Sequence, residues 1–232
     1  MSKIPLALCP GLLCNHQLWD PQIRALSEVA ECYVGRFDKH RSFEDMALSV
    51  LDAMPEQFAL AGLSMGGYVA QAILRLAPQR VSHLALLDTS ARADTEVQTR
   101  RRRALISLSK IGKFKGVTPK LLPLLIHEDR LDDEELTTII FEMAEDIGRE
   151  AFSMQQEAIM ARPDSRGNLA TVSCPTLILC GRQDALTPLE LHEEMSELVP
   201  HSQLVIVEDS GHLPTLERPE SVSHAMKEWL AS

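Results

Sequence analysis

Basic residues are scarce relative to acidic ones in this 232-residue chain: 23 Lys and Arg face 33 Asp and Glu, for a formal net charge of −10. That deficit argues against a nucleic-acid partner, whose phosphates require a basic surface, and it disfavours binding to an anionic membrane. No apolar run reaches the roughly 20 residues that a membrane-spanning helix needs. A short apolar run follows Met1-Ser2-Lys3 without a signal-peptide cleavage pattern; we read it as a first core strand and expect a cytoplasmic protein. The five cysteines are odd in number, show no C-x-x-C spacing and have no clustered histidines beside them. A disulfide framework and a zinc site are therefore disfavoured, and buried free thiols are expected. A nucleophilic thiol at Cys9 or Cys14 is the lesser alternative, since neither has neighbours that would stabilise a thiolate. Internal repeats and low-complexity tracts are absent.

What is present suits one sizeable core: 45% of residues are apolar and 24% charged. Short apolar runs alternate with amphipathic segments, the pattern of a mostly parallel sheet covered on both faces. Strands are expected at Ile4–Cys9, Cys32–Phe37, Phe58–Leu63, His83–Leu87, Thr176–Cys180 and Gln203–Val207, and helices at Leu18–Ala30, Phe43–Met54, Tyr68–Ala77 and Pro219–Leu230. Residues 93–170 break the rhythm; Leu, Glu, Arg and Met recur there at helical spacing with no convincing strand. The stretch is too long for a connection, so we expect a helical lid inserted into a core formed by residues 1–92 and 171–232.

Chemistry concentrates at Gly62-Leu63-Ser64-Met65-Gly66, a G-x-S-x-G pattern between the Phe58–Leu63 strand and a helix. A serine on such a turn is held in strained backbone with its hydroxyl exposed above the sheet edge. The bland alternative is a Gly/Ser turn in which Ser64 caps the helix. A serine hydroxyl needs a base, and His212 in the loop Asp209-Ser-Gly-His is the best candidate. An acid to orient that base is expected at Asp184, just past a strand; Asp88, which also ends a strand, is the rival. Oxyanion donors are expected from the backbone N–H of Met65, next to the serine, and from the turn after the first strand. Pro10 has no N–H, so Leu12 is preferred there and Leu13 comes second.

Taken in order, Pro10-Gly11-Leu12…Trp19, Gly62-Leu-Ser-Met-Gly-Gly, Gly181-Arg-Gln-Asp…Thr187-Pro and Ser210-Gly-His…Glu217-Arg-Pro resemble the α/β-hydrolase superfamily over nearly the whole chain. The lid and Pro78-Gln-Arg-Val look like small bacterial carboxylesterases and 3-oxoadipate enol-lactonases. The resemblance implies an α/β-hydrolase fold and Ser-His-Asp hydrolysis of a small-molecule ester through an acyl-enzyme, with no cofactor and no metal. Lactone hydrolysis, menaquinone-pathway-type lyase chemistry and a ligand receptor without catalysis are alternatives that the superfamily also contains. Two departures stand out. The usual His-Gly of the oxyanion loop is Pro10-Gly11 here, and the antiparallel hairpin that precedes the first strand in many relatives is not expected.

Substrate contacts are less legible. His16 and Trp19 follow the oxyanion turn and are candidate pocket residues, although a solvated loop position suits His16 as well. In the run Arg100–Arg103, one guanidinium, taken as Arg102, turned inward would pair with a substrate carboxylate and favour an acidic lactone. Met143, Met154 and Met160 in the lid fit either core packing or a flexible acyl pocket.

Overall fold

The computed structural model describes residues 3–232. Strands β1 (Ile4–Cys9), β2 (Ala30–Val34), β3 (Phe58–Leu63), β4 (Val81–Leu87), β5 (Thr176–Gly181) and β6 (Gln203–Val207) form one sheet in the order β2-β1-β3-β4-β5-β6. Every adjacent pair is parallel. Connections between parallel strands must cross over, and helices make those crossovers: α1 (Asp20–Leu26), α2 (Phe43–Ala53), α3 (Met65–Leu76) and α7 (Leu189–Leu198). The chain closes with a single helical turn, α8 (Pro214–Glu217), and with α9 (Pro219–Leu230).

Side chains of successive strand residues point to opposite faces, and the two faces hold separate cores. Leu6, Leu8, Ala59, Ala61 and Leu63 pack with α1 and α9 residues such as Leu26 and Trp229, while Ala7, Cys9, Phe58 and Leu60 pack with Met46, Val50, Val69 and Ile73 of α2 and α3. β3 is buried along its whole length, which explains its unbroken Phe58-Ala-Leu-Ala-Gly-Leu sequence.

Several boundaries differ from expectation, three of them most instructively. α3 begins at Met65, not Tyr68, because Gly66 and Gly67 form its first turn. A Cβ on Gly66 would overlap the Cys9 carbonyl oxygen, and one on Gly67 would overlap the Thr89 side chain, so these glycines let the helix start press onto the neighbouring strands. β2 runs from Ala30 to Val34, in register with Ile4 to Leu8, which leaves Phe37 buried beyond the strand. The expected helix over Leu18–Ala30 is a 3-10 turn (His16–Trp19) followed by the shorter α1.

Between β4 and β5 the chain is helical: α4 (Glu96–Ser109), 3-10 turns at Pro119–Leu124 and Glu128–Arg130, α5 (Glu134–Ala161) and the short α6 (Arg166–Leu169). Gly148, at φ 79°, interrupts α5 in a conformation that side chains resist. The first half of α5 (Leu136, Ile140, Met143) packs with one core and its end (Ala158, Ile159) with the other. Its middle (Ala144, Ile147, Ala151, Phe152) packs around Leu13, in the turn after β1. α5 therefore arches across the carboxyl end of the sheet, where ligands bind in open α/β folds. Among the described residues, no helix is long and apolar enough to cross a membrane.

Candidate active site

Ser64 sits at the β3–α3 junction with φ 54° and ψ −115°, a region that non-glycine residues rarely occupy. The strain is over-determined by its surroundings. Ser64 N–H donates to the Leu87 carbonyl at 2.9 Å, and the Ser64 carbonyl accepts from Thr89 Oγ1 at 2.8 Å and Gly67 N–H at 2.9 Å. Ser64 makes no side-chain capping hydrogen bond to α3, so its hydroxyl is not spent on the helix.

That hydroxyl meets His212 instead: Ser64 Oγ lies 2.8 Å from His212 Nε2, and His212 Nδ1 lies 2.8 Å from Asp184 Oδ2. The network fixes the tautomer. Burial pushes the Asp184 carboxyl up, but the facing imidazole and hydrogen bonds from His212 and Thr187 outweigh it and hold Asp184 at about 2. An ionised carboxylate only accepts, so His212 Nδ1 carries the proton and Nε2 is free to accept from Ser64. Asp184 is saturated: Oδ1 accepts from Leu186 N–H (2.8 Å) and Thr187 N–H (3.0 Å), and Oδ2 also accepts from Thr187 Oγ1 (2.5 Å).

His212 is held by residues on both sides. Its own N–H donates to the Leu125 carbonyl at 2.9 Å. Glu217 Oε1 accepts from Gly211 N–H at 2.9 Å and Leu213 N–H at 3.3 Å, and Oε2 accepts from His127 N–H at 2.6 Å. The 119–127 segment is thereby bonded to the histidine loop.

Asp88 does not reach His212. Its Oδ1 accepts Gly181 N–H at 2.9 Å, and Oδ2 is buried with no hydrogen-bond partner among the described residues. Burial, then the charge of Asp184, holds its carboxyl well above the usual carboxylate range. Asp88, Cys180 and Asp184 bring their ligand atoms within 4.8 Å of one another. Burial also pushes the Cys180 thiol up, and with the Asp184 oxygens already occupied this donor set fits protons better than a cation.

The turn after β1 separates the two oxyanion candidates. Leu13 N–H is taken by Gln155 Oε1 at 3.2 Å, whereas Leu12 N–H and Met65 N–H donate to nothing among the described residues. Gln155, from α5, is buried and also donates through Nε2 to the Phe37 carbonyl at 3.2 Å. No local pattern along the chain points to Gln155. Thr187 and Glu217 stood inside quoted motifs, and Thr89 followed Asp88, but their partners only become visible in three dimensions.

The remaining candidates lie elsewhere. His16 is exposed and pairs with Asp20 Oδ1 at 3.2 Å, and Trp19 is fully buried among Leu6, Leu18 and Leu26. Arg102 does turn inward, but its Nε meets Asp94 Oδ2 at 2.7 Å and its Nη1 meets Gln156 Oε1 at 2.8 Å. Asp94, 1% exposed, also binds Arg162, so the carboxylate that Arg102 neutralises is the protein's own. Met143 and Met154 are buried in the packing of α5. Burial pushes the Cys9 and Cys14 thiols up to about 12, which disfavours the thiolate that a nucleophile at either position would need. His192 is fully buried; it accepts Thr89 N–H at 3.0 Å and burial lowers it to about 4.

Comparison with known proteins bears on the family and the fold. Residues 8–225 match the model of the Alpha/beta hydrolase family. The pimeloyl-[acyl-carrier protein] methyl ester esterase of Photobacterium profundum is 27% identical over 210 residues, covering 82% of this chain and 76% of that protein. A thermophilic esterase from Thermogutta terrifontis, solved with malate bound, superposes with a TM-score of 0.89 at 30% identity, covering 99% of this chain and 90% of that one. The enol-lactonase from Burkholderia xenovorans LB400 shares the fold, with a TM-score of 0.83 at 21% identity over 100% of this chain and 93% of that one. The chain belongs to the alpha/beta hydrolase family.

Proposed function

We propose that this chain cleaves carboxylic esters of small or medium acyl chain, with Ser64 as nucleophile, His212 as general base and Asp184 as the orienting acid. The observation that carries the reading is the unbroken Ser64–His212–Asp184 contact, 2.8 Å at each step, built on a strained turn. Ser64 Oγ attacks the ester carbonyl as His212 Nε2 takes its proton. The oxyanion accepts hydrogen bonds from the unpaired N–H groups of Leu12 and Met65, the latter opening α3. The protonated imidazole, stabilised by Asp184, then gives its proton to the leaving alcohol. Water activated by the same imidazole adds to the acyl-enzyme, and collapse releases the acid and restores the serine.

Ester cleavage is also the activity named for the relatives from Photobacterium profundum and Thermogutta terrifontis. A ligand receptor would need no such proton relay. Residues 93–170 act as the lid in this reading: α5 reaches the oxyanion turn through Gln155, and the 119–127 segment holds the histidine loop.

Turnover of a p-nitrophenyl ester chain-length series beside a lactone panel, with Ser64→Ala as control, tests the proposal. Turnover of short and medium esters that Ser64→Ala abolishes, together with loss of fluorophosphonate labelling, is the expected result. Substantial ester hydrolysis by Ser64→Ala would remove Ser64 as nucleophile.

A further inference from the structure

The acidic balance of the chain conceals a strong segregation of charge. Between Val97 and His127 there are eight Lys and Arg and no Asp or Glu, so the rest of the chain holds 15 basic against 33 acidic residues. All but Lys120 sit on α4 and the turn that follows it. Arg100 has a distant partner, Glu96 at 3.8 Å, and Arg102 is turned inward to Asp94. Arg101, Arg103, Lys110, Lys113 and Lys115 are exposed and make no ion pair among the described residues.

The same segment exposes apolar side chains. Val97, Leu108 and Ile111 are 67%, 63% and 74% exposed, three of the seven exposed large hydrophobic residues among those described. Val97, Ala104 and Leu108 recur at spacings of 7 and 4, which places them on one side of a 3.6-residue helix, and Ile111 extends the line past the helix end. Arg100 and Arg101 flank that line, and Lys110, Lys113 and Lys115 surround Ile111 in the turn through Gly112. The opposite side of α4 buries Ile106 toward α5. A helix anchored by one side, with an outward apolar line between cations, has the layout of an element that lies in the plane of a membrane surface.

We infer that the outer side of α4 and the Lys110–Lys115 turn form a docking surface for an anionic lipid bilayer, with Leu108 and Ile111 entering the headgroup region and the arginines and lysines meeting lipid phosphates. Global charge does not oppose this. Beyond about 8–10 Å salt screens the acidic remainder of the molecule, so the bilayer responds to the face presented to it. Charge complementarity selects anionic lipid over neutral lipid, and the protruding aliphatic side chains select a penetrable surface over a rigid one. The inference departs from the expectation of no membrane contact, which rests on charge summed over the whole chain.

The test is co-sedimentation of the full chain with phosphatidylcholine vesicles containing 30% phosphatidylglycerol, against pure phosphatidylcholine vesicles. Each cation near an anionic surface strengthens binding about fivefold, so the triple variant R100E/R101E/R103E should lower partitioning at least a hundredfold. Ile111→Asp with Leu108→Asp should also release the protein, while p-nitrophenyl acetate turnover by both variants stays within twofold of the parent. The Ser64→Ala protein should bind as the parent does, which keeps this result independent of the catalytic proposal. No binding to the anionic vesicles, equal binding to neutral ones, or binding that both sets of substitutions leave intact would overturn the inference. Retention of the protein by an immobilised acidic polypeptide without vesicle binding would overturn it in favour of an acidic protein partner.

Discussion

Gln155→Leu isolates the link between the helical insertion and the oxyanion turn. The side chain is 1% exposed, accepts Leu13 N–H and donates to the Phe37 carbonyl, each at 3.2 Å. Leucine nearly fills the same volume but offers neither group, so a buried donor and a buried acceptor lose their partners. Each unsatisfied group costs about 1–3 kcal/mol, so the variant should lose roughly 2–6 kcal/mol. At about 2–4 °C per kcal/mol for a chain of this size, the melting temperature should fall by at least ~4 °C. Leu13, at φ 59°, has no other hydrogen bond from its N–H among the described residues to hold the turn that carries Leu12 N–H, the proposed oxyanion donor. Losing a whole oxyanion donor costs about 10²–10³ in kcat, and a donor made loose should cost part of that, about 10–100-fold. KM should change little, because the donor acts on charge that develops in the transition state. Gln155→Glu keeps the acceptor for Leu13 and, with burial favouring the protonated carboxyl, a donor for the Phe37 carbonyl, so it should recover most of kcat. The assay is p-nitrophenyl butyrate kinetics beside thermal melts. Full kcat in a Gln155→Leu protein with a lowered melting temperature would refute the reasoning, because the turn would then hold its catalytic shape without the glutamine.

Other outcomes follow from the same contacts. Gly66→Ala drives a methyl into the Cys9 carbonyl and should leave little folded protein in solubility and circular-dichroism measurements. Asp88 has a raised pKa in the fold, so the unfolded chain ionises above about pH 4 while the folded one keeps its proton, and folding weakens as pH rises past that point. Asp88→Asn removes that loss; its melting temperature should gain on the parent between pH 4 and 8, and a gap constant with pH would contradict the assignment. Arg102→Ala strips a partner from buried Asp94 and should lower the melting temperature, yet the ratio of activities on anionic and neutral esters should not move. A selective loss on the anionic ester would return Arg102 to the substrate site.

How much could be read in advance varied with the range of the interactions involved. β3, β6 and α9 were legible to the residue, because their apolar patterns and flanking Gly or Pro are local signals. The start of α3 was not, since Gly66 and Gly67 look like a turn until the strands they press against are known. Ser64, Asp184 and His212 each followed a strand in a recognisable motif, and the sheet gathers such strand ends at one edge. His16 and Trp19 were nominated by their nearness to the oxyanion turn along the chain and Arg102 by its place in the arginine run, and their partners are Asp20, the core around Leu26 and Asp94.

Periodicity and turn chemistry act over a few residues, and they were enough to read the six strands, the helical stretch between β4 and β5 and three candidate residues for one site. The fold then brings Asp184 rather than Asp88 to His212, and leaves Leu12 N–H rather than Leu13 N–H without a partner among the described residues. Those choices rest on which lone pair or N–H is already taken, by Gly181 in one case and by Gln155, more than a hundred residues away, in the other. The fold likewise turns Arg100, Arg101 and Arg103 of α4 outward while Arg102 turns in to Asp94. Net charge sums over the chain, whereas a surface is recognised by what lies within a Debye length of it.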